Sequence, residues 1–174
     1  LVKLRNLGFD NSRRFYHEEI GSNYRMTSLQ AALGNSQLKR ISEIVDRKKA
    51  IGNYYDANLS LPDFIVKPPV STDYSENIYW VYPLVINHYD IDSRDIMSAL
   101  GQNGIGSRPF FFSLAHQPVF KGRGFKNKTG CKNALELGQK GFYIPSGLAL
   151  TRKQQDFVIQ ILGDVIKSII HGIS

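Results

Sequence analysis

Residues 21–34 have the sequence GSNYRMTSLQAALG, and this stretch marks the start of the longest helix that the sequence predicts. It opens with turn-forming residues. Thr27 and Gln30 then match a capping box, in which the threonine hydroxyl accepts a backbone N–H bond and the glutamine side chain reaches back to the threonine N–H. Apolar residues recur after it at three- and four-residue spacing, so the sequence predicts one long helix over residues 27–58.

Beyond this helix the pattern alternates between short strands and helices. Aromatic and β-branched runs predict strands over residues 78–86 and 105–111, and Pro109 favours a sheet-edge position for the second strand. A shorter extended segment is predicted over residues 142–145. Capping and stop signals predict three further helices, over residues 92–103, over residues 131–140 and from Thr151 onward.

This order of elements predicts an α+β fold. We expect a short antiparallel or mixed sheet with helices on one face, preceded by the long helix as a spine. The sequence divides on this basis into three parts. Residues 1–26 would end a preceding domain, residues 27–58 would form the connecting helix, and residues 59–174 would form a small α+β domain.

Composition excludes several classes of protein. The 174 residues are 42% hydrophobic and 21% charged, which is typical of a globular chain, and no apolar run approaches the ~20 residues of a membrane span. A single cysteine, Cys131, permits no internal disulfide and favours a cytoplasmic setting. The four histidines lack the spacing of metal ligands, so no metal site is expected.

The net charge of +7 raises the question of an anionic partner. Nucleic acid is not expected, because lysine and arginine are spread along most of the chain. One local concentration of basic residues is either a solvated loop or an attractor of a phosphate-bearing small molecule. It consists of Lys121, Arg123, Lys126, Lys128 and Lys132. The aromatic run at residues 110–112, close to His116, is similarly either a pocket wall or core packing.

Four segments of the sequence resemble one family. Residues 21–34 closely resemble the G-x-N-[YF]-R-M-[TS]-x-[LI]-Q-A-A-[LI]-G signature of the DegT/DnrJ/EryC1/StrS aminotransferases. Residues 4–8, 107–118 and 143–155 resemble three further segments of that family, in the same order and at similar spacing. The resemblance implies the small C-terminal domain of a fold-type I enzyme that uses pyridoxal 5'-phosphate (PLP).

In this family a lysine forms a Schiff base with PLP, and an aspartate pairs with the pyridine nitrogen. The lysine lies in an S-F-x-x-x-K context just before the segment that residues 4–8 resemble. Nothing in this sequence matches that context, and Lys3 is too close to that segment to be the lysine. The resemblance therefore implies that this chain carries no catalytic residue and is inactive alone.

The resemblance does imply supporting roles. Asn23 matches the asparagine that reaches across a homodimer to the PLP phosphate of the partner subunit. Arg25 would brace its loop or meet the substrate diphosphate. Arg108, Phe110 and His116 map to the stretch that lines the sugar-nucleotide side of the cleft.

The expected function is therefore that of a parent enzyme. It would transfer an amino group, from glutamate, to a nucleotide-linked keto sugar in surface polysaccharide biosynthesis, such as that of lipopolysaccharide O-antigen. Similarity to perosamine-type members suggests GDP-4-keto-6-deoxymannose as substrate and GDP-perosamine as product. The alternative is a truncated, non-enzymatic module that only dimerises or binds a nucleotide sugar. The expected partners are a second subunit or the missing N-terminal half.

Overall fold

The computed structural model describes residues 1–9, 17–120 and 131–173. The chain forms two compact units, Leu1–Glu43 and Ile44–Ser174. This division differs from the expected boundaries after residues 26 and 58, which remain a prediction for the complete protein.

The first unit contains helices α1 (Val2–Arg5) and α2 (Ser28–Leu38). The capping box that precedes α2 is confirmed. Thr27 Oγ1 accepts a bond from the Gln30 N–H at 3.2 Å, and Gln30 Oε1 accepts one from the Thr27 N–H at 2.9 Å. No side chain of α2 is buried.

The prediction of one continuous helix over residues 27–58 is wrong. A separate helix, α3 (Ile41–Asn58), follows, and two residues, Lys39 and Arg40, lie between it and α2. The Arg40 N–H donates to the Gln37 carbonyl at 3.0 Å, so the last turn of α2 tightens to a bond over three residues and the regular ladder stops. The Arg40 guanidinium pairs with Glu43 at 3.2 Å in the first turn of α3.

The second unit is built on a four-stranded sheet in which every pairing is antiparallel. Its order is β1-β2-β4-β3, so β3 lies at an edge as Pro109 predicted. The strands are β1 (Ile65–Val66), β2 (Tyr82–Ile86), β3 (Arg108–Pro109) and β4 (Gly141–Ile144). The strand expected over residues 78–86 is shorter because Tyr79 adopts a left-handed φ of 51°, which an extended strand does not allow.

Three helices complete this unit: α4 (Ser93–Gln102), α5 (Lys132–Lys140) and α6 (Arg152–Ile173). Asp92 caps α4 by accepting the Arg94 N–H at 2.8 Å, and the capping box at Thr151 is also confirmed. Two 3₁₀ turns lie at Leu114–His116 and Pro118–Phe120. Among the described residues, no helix is both long enough and apolar enough to cross a membrane.

The core of this unit lies between the sheet and its helices. Alternate residues of β2 are fully buried, which gives the sheet one apolar face. The fully buried apolar side chains are Tyr55, Tyr79, Tyr82, Leu84, Ile86, Ile96, Leu100, Phe142, Ile144 and Leu162.

Helix α3 buries Ile51 and Tyr55 in this core, and its Asp56 carboxylate adds hydrogen bonds to two core tyrosines. Asp56 accepts hydrogen bonds from the hydroxyls of Tyr79 and Tyr82, the latter at 2.6 Å. Burial, followed by these bonds to Asp56, raises the pKa of both tyrosines above the usual range. The Tyr79 ring lies directly over Gly52, where a Cβ atom would stand 2.1 Å from the ring carbon Cγ.

Substitution of Gly52 tests this packing. G52A should destabilise the chain by about 1–3 kcal/mol, because the tyrosine ring has no room to withdraw from the new methyl group. The matched control is G163A in the middle of α6, where a Cβ meets nothing within 4 Å. That variant should gain roughly 0.5–1 kcal/mol, because alanine favours a helix interior. Urea unfolding of both variants checks this, and equal stability of the two would contradict the packing.

Candidate functional site

In the first unit, residues 4–7 pair with residues 22–24 through backbone hydrogen bonds, and both stretches belong to segments that resemble the family. The Leu7 N–H donates to the Ser22 carbonyl at 3.2 Å, and the Ser22 N–H donates to the Leu4 carbonyl at 3.1 Å. The Tyr24 N–H donates to the Arg5 carbonyl at 3.0 Å. These bonds frame an antiparallel bridge between Asn6 and Asn23.

Two glycines allow the two backbones to approach this closely. A Cβ atom on Gly21 would stand 2.1 Å from the Gly8 nitrogen, and one on Gly8 would stand 2.4 Å from the Glu19 carbonyl oxygen. Gly8 also has a φ of 72°, which L-residues rarely adopt. Gly8 and Gly21 are therefore required by backbone contact. A cleft of about 580 Å³ lies beside them, lined by residues that include Phe9 and His17.

The bridge places two asparagine side chains together. Asn23 is exposed, and its Oδ1 accepts the Arg25 N–H at 3.3 Å, which leaves the amide nitrogen of Asn23 with no acceptor in the described part of the chain. The Oδ1 atom of Asn6 is buried without a hydrogen-bond partner. Since a buried acceptor without a donor is destabilising, Asn6 needs a donor from outside the described residues.

Arg25 follows in the same turn and is exposed. The ion pairs found among residues 1–9, 17–120 and 131–173 do not involve its guanidinium. The first unit therefore presents a neutral amide donor and a cation within three residues of each other, and both suit a phosphate oxygen.

The other three expected site residues lie in the second unit. Arg108 is in the edge strand β3 opposite Tyr143, and both line a cleft of about 380 Å³ that also includes Ser146. Neither Phe110 nor His116 lines this cleft. Of the three expected residues, this cleft therefore includes Arg108 alone.

Phe110 continues the sheet edge, since its N–H donates to the Gly141 carbonyl at 2.8 Å. Its side chain contacts the backbone of β4, where a Cβ atom on Gly141 would stand 2.8 Å from the Phe110 Cβ. His116 lies in the first 3₁₀ turn, and its Nδ1 is 3.0 Å from the buried hydroxyl of Ser113. This contact positions the imidazole ring.

Sequence reasoning missed two features of this region. Trp80, which precedes β2, stacks on Phe111 with ring centroids 5.8 Å apart. Lys48 of α3 donates to the carbonyl of Ser146 in the lining of the cleft, and burial lowers the pKa of Lys48. Both pairings join residues far apart in sequence, so no local pattern predicts them. Most of the basic concentration, from Lys121 to Lys128, lies outside the described residues.

The two paired segments and the α+β unit identify the class of protein. The sequence profile described as the DegT/DnrJ/EryC1/StrS aminotransferase family matches residues 1–163, and the chain belongs to this family. The expected family and fold are confirmed.

Two related proteins within the family have names that specify a reaction product. The chain is 30% identical over 147 residues to the GDP-perosamine synthase of Vibrio cholerae, an alignment that covers 83% of this chain and 39% of the relative. It is also 30% identical over 165 residues to the GDP-perosamine synthase of Caulobacter vibrioides, which covers 94% of this chain and 43% of the relative. The chain therefore spans about two-fifths of the length of these relatives.

A solved structure agrees in fold. Spr1654 of Streptococcus pneumoniae, in its PMP form, superposes with a TM-score of 0.81 at 20% identity and covers 98% of this chain and 43% of its own. The same protein has been solved in a PLP form. At the level of the family, the expectation of PLP as the cofactor of the complete enzyme is confirmed.

Replacement of Gly21 tests the close approach of residues 4–8 to residues 21–24. G21A should open the Asn6–Asn23 bridge, because the added methyl group overlaps the backbone of Gly8. The amide protons of Leu7, Ser22 and Tyr24 should then exchange with solvent faster than in the unmodified chain, as nuclear magnetic resonance can measure. The control is G34A in α2, where a Cβ meets nothing within 4 Å, and protection there should persist. Unchanged protection in G21A would show that the two backbones do not approach this closely.

Proposed function

We propose that this chain is the C-terminal part of an aminotransferase that transfers an amino group from glutamate to a nucleotide-linked keto sugar. The observation that carries the proposal is the family match over residues 1–163. The two perosamine synthases at 30% identity support GDP-4-keto-6-deoxymannose as substrate and GDP-perosamine as product. Surface polysaccharide biosynthesis is then the process served, in the cytoplasm.

The residues of the first unit fit the phosphate of PLP. The Asn23 amide, which has no acceptor among the described residues, would donate to a phosphate oxygen. The Arg25 guanidinium, which forms no ion pair among those residues, would meet the same phosphate or the substrate diphosphate. PLP, when bound, supplies the electron sink for amino transfer. This chain supplies contacts that hold and orient, since no lysine of the sequence lies in the Schiff-base context.

The role of Asn23 belongs to a homodimer in this proposal, with its amide directed at the cofactor of the partner subunit. In the second unit, Arg108 would face the phosphates of the nucleotide sugar from the cleft that it lines. Phe110 and His116 would shape the adjoining wall, with His116 positioned by Ser113.

A second candidate is a non-enzymatic module that dimerises or binds a nucleotide sugar. The observation that favours it is the exposure of Met26, Leu29, Leu33 and Leu38 on and next to α2, which is typical of a surface that another protein covers. Sedimentation of the chain and calorimetric titration with GDP- and UDP-sugars separate this candidate from an inert remnant.

The direct test supplies substrates to the 174-residue chain and to the complete enzyme. With PLP, glutamate and GDP-4-keto-6-deoxymannose, only the complete enzyme should form the amino sugar, which mass spectrometry detects. Borohydride treatment of the chain with PLP should label no single lysine to completion, with urea-unfolded chain as the control for random labelling. Stoichiometric labelling of one lysine in the folded chain alone would overturn the assignment of the catalytic lysine to the missing part. A complete enzyme that aminates no nucleotide sugar would refute the proposed function.

The cross-subunit role of Asn23 has its own test in the complete enzyme. N23A should weaken PLP retention by about tenfold or more, the usual cost of losing a hydrogen bond to a charged group. The control is N58A, which removes an exposed helical amide that donates to the Tyr54 carbonyl of its own helix.

Mixed dimers show which subunit's cofactor Asn23 contacts. A subunit that carries N23A and a subunit whose Schiff-base lysine is replaced should together restore one intact site, because lysine and asparagine then come from different chains. Cofactor retention that stays low in the mixed dimers would place Asn23 in its own subunit's site instead.

A further inference from the structure

The outer face of the sheet carries three stacked aromatic rings, Trp80, Phe111 and Tyr143, which we name the aromatic platform. The Phe111 ring lies 6.3 Å from that of Tyr143 and 5.8 Å from that of Trp80. Trp80 and Phe111 are almost parallel, with an angle of 2° between their planes. The apolar face of β2 is directed at the core, so these rings lie outside the packed interior.

Trp80 ends this stack, and the fold holds it there. Its neighbour Tyr79 is 1% exposed, is bonded to Asp56 and adopts a left-handed φ. That backbone turn sends the next side chain outward, and Trp80 is 67% exposed. Phe111 lies parallel to the indole in an offset arrangement, and much of the indole remains in solvent, so a further flat ring can extend the stack.

A cation lies on the same face as the platform. Arg108 is the direct cross-strand partner of Tyr143, and directly opposed residues of an antiparallel pair project to the same side. Within the described residues, no carboxylate pairs with Arg108. An open aromatic stack next to a guanidinium that has no carboxylate partner in the described ranges is complementary to a ligand that joins a flat ring to phosphate.

The size of the platform favours a small ligand over a protein. Trp80 and Phe111 are 67% and 55% exposed, and Tyr143 is half-buried. The three rings therefore offer roughly 300 Å², against the ~800 Å² per partner of a stable protein interface.

We infer that Trp80 stacks on the nucleobase of the nucleotide-linked sugar, with the phosphates on the side of Arg108. The identity of the ligand as a nucleotide sugar rests on the proposed function. Stacking tolerates any base, so the platform contributes affinity for the nucleotide and leaves the choice of base to other contacts.

Trp80 is the only tryptophan of the 174 residues, so its fluorescence reports the platform directly. Excitation at ~295 nm during titration with GDP or UDP should quench the emission saturably, because the indole gains a stacked partner. Inorganic pyrophosphate, which has no ring, should leave the emission unchanged. N-acetyltryptophanamide titrated in parallel corrects for light absorbed by the nucleotide.

Calorimetry with variants of the chain completes the test. W80A should weaken GDP or UDP binding by about tenfold, whereas W80F, which keeps an aromatic face, should stay within about threefold of the unmodified chain. The matched control is Y74A, which removes a ring that is 85% exposed and lies outside the platform.

Three outcomes would overturn the inference. If GDP binds W80A as tightly as the unmodified chain, and the Trp80 emission of the unmodified chain does not change on binding, the stacking role is removed and the proposed function stays intact. Failure of the chain to bind any nucleotide also removes the role, and the amination assay of the complete enzyme then decides the proposed function separately. Self-association that W80A abolishes would make the platform a protein contact instead.

Discussion

The half-buried carboxylate of Asp56 is the contact on which the second unit depends. It accepts hydrogen bonds from Tyr79 and Tyr82 and so connects α3 to the start of β2. Tyr82 then begins the strand that pairs with both β1 and β4. Because both hydroxyls are removed from water, each needs this acceptor, and the loss of the carboxylate would leave two buried donors without partners.

The same contact determines what the outer surface presents. Tyr79 reaches Asp56 only by placing its ring over Gly52 and by taking a left-handed backbone conformation. Such a conformation costs roughly 1–3 kcal/mol, and burial of the ring with its hydrogen bond offsets that cost. The exposure of Trp80 is a consequence of this geometry, since the interior position is already occupied by its neighbour.

Sequence patterns predicted the features that depend on neighbouring residues. Both capping boxes, the Asp92 cap and the edge position of β3 follow from chemistry within three or four residues, and each was predicted correctly. The break between α2 and α3 was not, because Lys39 and Arg40 are good helix formers and the interruption is visible only in the hydrogen bonds. Residue 79 was assigned to a strand because tyrosine favours strands, and its contacts with Gly52 and Asp56 span 27 and 23 residues.

In the candidate site too, residues within a sequence motif were predicted, and contacts between residues far apart in sequence were not. Asn23 and Arg25 were selected because residues 21–34 resemble a family signature, and the structure adds that Gly8 and Gly21 bring a second segment against them. Trp80 belongs to none of the four segments that carry the resemblance, so that comparison does not point to it. Its place beside Phe111 depends on a left-handed tyrosine and on a sheet register formed by distant strands.

In our proposal, the second unit binds the nucleotide and the first unit contacts the cofactor, and this separation follows from the location of the buried core. The aromatic platform and Arg108 belong to a unit with its own buried core, which contains no residue matched to the catalytic lysine. In our proposal, recognition of the nucleotide depends on contacts that this unit forms internally, whereas Asn23 acts on a cofactor bound by another subunit. A loss of base stacking and a loss of cofactor retention are consequently separable defects. The first would change the affinity for the nucleotide and the second the fraction of enzyme that carries PLP.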